Sequence, residues 1–119
     1  MAVVNCKVTF IRPSYASLKH WMEDPSNVYI GRKGIVFVDK ERWPKKDSPW
    51  SNPFKIGPMT TREEVIIKYE SWIREKLAED PERVEELLAL KGKNLGCWCA
   101  PEQCHGHVLL KLIAEFDNR

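Results

Sequence analysis

Three of the four cysteines and two of the three histidines fall within eleven positions, Cys97-Trp98-Cys99-Ala100-Pro101-Glu102-Gln103-Cys104-His105-Gly106-His107. Thiols and imidazoles at this density serve as nucleophiles, proton carriers or metal ligands. The stretch leaves a predicted strand, Asn94 to Cys99, and enters a predicted helix running from about Cys104 to Phe116. In an open α/β sheet ligands bind beyond the carboxyl ends of the strands, and the free N–H groups of a helix start favour anions. A cysteine there gains acidity. Cys104 is therefore the candidate reactive thiol, expected to be partly exposed and acidic, and His105 the candidate proton donor or anion contact.

Three readings of this corner compete. In the first, Cys97 and Cys99 are small buried hydrophobes, since free cysteine is among the most buried residue types. In the second, Cys97 or Cys99 joins Cys104 and His107 around zinc. The spacing C-x-C-x4-C-x2-H matches no standard finger or knuckle. In the third, the corner receives a phosphate or nucleotide, with Cys104 and His105 near the ligand.

The elements that must position this corner follow from periodicity. Val3 to Ile11, rich in β-branched residues, reads as a buried strand. Tyr15 to Met22 suits one or two helical turns with Leu18, Trp21 and Met22 on one side. Val28-Tyr29-Ile30 reads as a second strand, with Gly31 to Gly34 turning it and Ile35 to Val38 as its hairpin partner. Glu41 to Met59 holds four prolines together with Trp43, Trp50 and Phe54. It has no periodicity, and its aromatic content predicts a long loop that packs down in order. Thr60-x-x-Glu63 is a capping box ahead of the stripe Val65, Ile66, Tyr69, Trp72, Ile73 and Leu77. Asp80-Pro81 starts another helix, with Val84, Leu87 and Leu88 inward and Gly92 as its stop. Leu95, Cys97 and Cys99 share one face of the last strand and Trp98 takes the other. The last helix buries Val108, Leu109, Leu112, Ile113 and Phe116. The pattern predicts one α/β domain spanning residues 1–119, a mixed or parallel sheet with flanking helices.

Composition narrows the classes. The chain has 119 residues, with nineteen basic against seventeen acidic side chains and a net charge of +2. That balance neither requires nor excludes nucleic acid. Five Trp, three Tyr and four Phe are too much aromatic surface for a disordered coil. No apolar run approaches a membrane span and the N-terminus lacks a signal peptide, so no membrane partner and a cytoplasmic location are expected. Clustered cysteines suit reduced thiols better than a disulfide framework. No P-loop, dinucleotide glycine fingerprint or nucleic-acid module is legible. Arg42-Trp43-Pro44-Lys45-Lys46-Asp47 is basic with an aromatic in it, either a phosphate-backbone contact or a solvated loop.

Val28-Tyr29-Ile30-Gly31-Arg32, Trp50-Ser51-Asn52-Pro53-Phe54, Arg62-Glu63 with Tyr69, Leu95-Gly96-Cys97-Trp98-Cys99-Ala100-Pro101 and Cys104-His105-Gly106 together form a specific pattern. From about Asn5 to Phe116 the chain resembles the uncharacterised family numbered 4326 among the domains of unknown function, which occurs in bacteria, phages and large DNA viruses. A viral source would place the protein in host cytoplasm. The C-x-P-x-x-C-H corner is also similar to that of family 488, thought to be Rossmann-like. Family 4326 usually carries an acidic residue after Cys-His-Gly, where this chain has His107. The resemblance implies a Rossmann-like fold and a pocket, and no reaction.

That pocket is expected to draw on Gly31, Arg32, Trp50, Asn52, Pro53, Phe54, Cys99 and Pro101 for ligand binding, with Cys104 and His105 as catalytic candidates. Arg32 at a strand end suits a phosphate or carboxylate; a surface ion pair is its ordinary alternative. Asn52 before a proline suits a base or sugar edge, or else caps a turn. Trp50 and Phe54 stack on a base or pin the loop to the core. The expected activity is binding of a nucleotide- or nucleoside-type ligand without a cofactor, with transferase or hydrolase chemistry on it. The alternative is a zinc-binding or non-catalytic adaptor engaging nucleic acid or protein.

Overall fold

A computed structural model of the protein describes residues 2–99 and 102–118. Three parallel strands form its central sheet: β1 (Ala2–Asn5), β2 (Asn27–Tyr29) and β5 (Asn94–Cys97), in the order β1-β5-β2. The last strand inserts between the first two, pairing Val3 with Leu95 on one side and Val28 with Leu95 on the other. Backbone bonds from Cys6 to the Cys97 carbonyl and from Ile30 to the Gly96 carbonyl extend both ladders by a residue.

Helices cover both faces. On one side lie α3 (Arg62–Glu79), α4 (Pro81–Leu88) and α5 (His105–Asp117), whose stripes enclose a core with Ile73, Leu87, Leu95, Leu109 and Leu112 fully buried. On the other, α1 (Val8–Ile11) and α2 (Leu18–Glu23) bury Ile11, Leu18 and Trp21 against Cys6 and Tyr29. Asp80 caps α4 by accepting the Glu82 N–H, with Pro81 in the first turn. Gly92 then closes the segment at φ +83°, a conformation that favours glycine. Among the described residues no helix is long and apolar enough to cross a membrane.

Four local expectations are corrected. The first strand stops at Asn5, because the Asn5 side chain accepts the Lys7 N–H at 2.9 Å and bends the chain into α1. Ile35 to Val38 does not pair with the Tyr29 strand, whose ladder partner is β5. Instead β3 (Val36–Val38) pairs antiparallel with β4 (Glu41–Trp43), around Asp39 and Lys40 at φ 51° and 68°. Two positive φ values at a two-residue loop match the twist of a hairpin. The cap of α3 is Thr61, which accepts the Glu64 N–H, one residue beyond the expected box. The final strand ends at Cys97 rather than Cys99.

Candidate functional site

A cleft of about 390 Å³ opens at the carboxyl ends of β2 and β5. Gly31 and Arg32 line it from the end of β2, and Asn52 and Phe54 from the long loop. Cys97, Cys99, Cys104 and His105 line it from the β5–α5 junction. The structure thus brings together most of the residues singled out from sequence. Trp50 and His107 are not among the lining residues, nor is Pro53, which is exposed. Pro101 lies outside the described residues.

Several of these side chains build the cleft's wall. Arg32 donates from Nε to the Asn52 carbonyl at 2.9 Å and from Nη2 to the carbonyls of Asn52 and Phe54, the latter at 3.0 Å. Asn52 Oδ1 accepts the Phe54 N–H at 2.9 Å, and its Nδ2 donates to the Val65 carbonyl at 3.4 Å. Asn52 therefore caps its own turn, and Arg32 fastens that turn to the end of β2. The Trp50 ring is buried in the main core, and its carbonyl accepts the Tyr69 hydroxyl at 2.7 Å. For Trp50 and Asn52 the packing and capping alternatives describe the contacts seen.

The thiols divide unevenly. Cys104 is the N-cap of α5: its Sγ accepts the Gly106 N–H, while His107 Nδ1 accepts the Cys104 N–H at 3.1 Å. Cys104 Sγ also lies 3.2 Å from Cys97 Sγ, and Cys104 is only 2% exposed. The shared hydrogen bond with Cys97, followed by burial, pushes the Cys104 thiol up. The expected exposed and acidic thiol is thus corrected. The helix start favours thiolate, but desolvation and a neighbouring thiol outweigh it. Cys6 behaves likewise, pushed up to about 12 by burial beside Cys97. Cys99 alone among the cysteines is half-buried. Among the described residues no group of three Cys, His, Asp or Glu is arranged to hold a metal ion, and His107 is engaged in the cap.

These placements set an order of reactivity. Iodoacetamide at neutral pH is expected to label Cys99 first, leaving Cys6, Cys97 and Cys104 unmodified until the protein unfolds. Peptide mass spectrometry of native and urea-treated samples checks this; early labelling of Cys104 would contradict it.

His105 opens α5, with its ring edge-on to Tyr69 at a centroid distance of 5.0 Å. Its Nε2 stands 2.7 Å from the Ile30 carbonyl. A carbonyl only accepts, so Nε2 carries the proton and Nδ1 of the neutral ring keeps a free lone pair. Burial lowers the pKa below the usual histidine value, with the Arg32 charge adding to the effect against the Ile30 bond, so the ring is neutral at pH 7.

Two charged cleft residues were not singled out as ligands from sequence: Lys55 and Arg62. Arg62 forms an ion pair with Glu102 at 2.8 Å, donates to the Gln103 carbonyl at 3.2 Å, and bears on the Cys99 thiol, which holds its charge firmly. A signal existed in its position. Arg62 is the first residue of α3, where the helix dipole disfavours a cation. A side chain that opposes its own helix end points to another role. With Arg32 these make three cations around the cleft, and no carboxylate is among its described lining residues.

No curated protein and no solved structure matches the chain. A family model does, across residues 15–115, and it covers the β2 end, the long loop and the β5–α5 corner that together enclose the cleft. The chain therefore belongs to the family described as domain of unknown function DUF4326.

Proposed function

We propose that the cleft binds a nucleotide-type ligand, a phosphate joined to a flat and largely apolar group. The observation that carries this reading is the charge of the lining: Arg32, Lys55 and Arg62 without a carboxylate among the described lining residues, at the carboxyl edge of a parallel sheet. The cleft's volume falls in the range of small-molecule sites. Lys55 and Arg62 would take the phosphate. Arg62 would exchange its pair with the exposed Glu102, a surface one of little net energy, for the phosphate. Phe54, Ile35 and Ile56 offer the apolar wall. His105 Nδ1 would accept a hydrogen bond from the base or sugar. Transfer or hydrolysis at this site would use the same Nδ1 as proton acceptor, since the buried Cys104 is engaged in the helix cap.

Mononucleotides at a hundred times their Kd are expected to stabilise the protein by about 2.7 kcal/mol, whereas the matching nucleosides do much less. Arg62→Ala and Lys55→Ala are each expected to weaken binding roughly tenfold, the scale of one charge-assisted hydrogen bond. Thermal shift across a nucleotide panel, followed by calorimetry, measures both. The reading fails if no nucleotide stabilises the protein, or if the double variant binds as well as the wild type.

A further inference from the structure

The cleft does not end at its rim. Ile35 lines it, and two residues further on Phe37 of β3 stands 66% exposed. Ile35 immediately precedes β3 and is itself 46% exposed, so two exposed apolar side chains flank the half-buried Val36 from the cleft outward. Directly opposite Phe37 in the β3–β4 register is Arg42, whose guanidinium lies 4.9 Å from the Phe37 ring centroid. Arg42 also donates to the Gly34 carbonyl at 3.0 Å, which ties the platform to the hairpin's base. On the other face Val36 packs into the smaller core, so the hairpin is anchored with Phe37 outward. Ser48 N–H donates to the Gly31 carbonyl at 3.0 Å, closing the arm where the cleft begins.

Charge follows the same path. Between Gly31 and Ile56 the chain has seven basic residues and three acidic ones, an excess of four. The whole chain carries only +2, so the rest of the molecule is net acidic. The basic character belongs to the arm and the cleft it feeds.

We infer that the cleft's ligand is a nucleotide within single-stranded nucleic acid, with the neighbouring base stacked on Phe37 and the backbone tracked by Arg42 and the arm's lysines. This rests on the nucleotide-type reading of the cleft. An exposed aromatic ring beside a cationic track is the usual device for holding single strands without regard to sequence. A protein partner favours a contiguous apolar patch, whereas here the Arg42 guanidinium lies over the exposed Phe37 ring and breaks the apolar surface with a cation. A duplex keeps its bases stacked on one another and offers Phe37 none.

The test is fluorescence anisotropy with labelled ten-nucleotide oligothymidylate and oligouridylate, a duplex of the same length, and a labelled mononucleotide. Either single strand is expected to bind at least tenfold more tightly than the mononucleotide, with affinity falling steeply as salt rises. The two oligonucleotides distinguish DNA from RNA as the source. Phe37→Ala should weaken oligonucleotide binding by about fivefold or more while leaving mononucleotide binding unchanged, and Phe37→Trp should restore it. Phe37 is exposed, so an unchanged melting temperature verifies the fold of both variants. The inference is overturned if the oligonucleotide binds no better than the mononucleotide, if the duplex binds as well as the single strand, or if Phe37→Ala has no effect. Should neither mononucleotide nor oligonucleotide bind, the reading of the cleft itself falls.

Discussion

Gly96→Ala is expected to destabilise the protein by about 3 kcal/mol, the upper end for forcing atoms into a packed core. Gly96 sits in the middle of the central strand, paired with Val4 on one side and Tyr29 on the other. An added Cβ would overlap Cys6 Sγ and the six-membered ring of Trp21. Neither can retreat easily, since Cys6 is held by its backbone bond to Cys97 and Trp21 is buried in the core of α2. The distance between sheet and α2 is thus set by a missing side chain. For a chain of this length the loss corresponds to a fall in melting temperature of about 10–15 °C. Gly57→Ala is the control, because a Cβ there meets nothing within 4 Å and should change stability by less than about 0.5 kcal/mol. Urea unfolding of both variants decides the matter. Equal stability would mean that α2 does not rest on Gly96.

The elements that were legible in sequence are those whose side chains report their own burial. The stripe of α3 and that of α5 lie on the core as their spacing demands, with Tyr69, Ile73, Leu109 and Leu112 fully buried. Asp80-Pro81 starts a helix for purely local reasons, and the alternation at Leu95, Gly96 and Cys97 separates two cores. Illegible elements depended on something distant or opposed their composition. Val8 to Ile11 looks like a strand, yet Phe10 is 64% exposed and only Ile11 turns inward. The hairpin turn at Asp39-Lys40 lacks the glycine that would mark it, so β4 was submerged in the long loop. For the site, the sequence located the corner and the polar positions around it. It did not distinguish a side chain that faces a ligand from one that holds the wall. Arg32 and Asn52 are twenty residues apart, and nothing local tells a guanidinium that its acceptors are carbonyls.

That distinction can be measured at Arg32. Its guanidinium bridges two carbonyls of the loop that supplies Phe54, Lys55 and Ile56 to the cleft. Hydrogen bonds from a charged donor contribute about 1.5–3 kcal/mol each when a partner would otherwise be stranded. Arg32→Ala is therefore expected to lower stability by about 2–3 kcal/mol, release the Phe54 amide from Asn52 Oδ1 to hydrogen exchange, and reduce nucleotide affinity at least about tenfold. Arg32→Lys separates the causes. Lysine keeps the charge, but as a single flexible ammonium it cannot reproduce the planar fork that joins two carbonyls. If Arg32 is a latch, the lysine variant loses exchange protection and affinity together, much as alanine does. If Arg32 instead holds phosphate directly, lysine restores much of the affinity and the Phe54 amide stays protected in both variants. Hydrogen exchange read beside calorimetry on the same two proteins tells the outcomes apart, and the carbonyl geometry predicts the first.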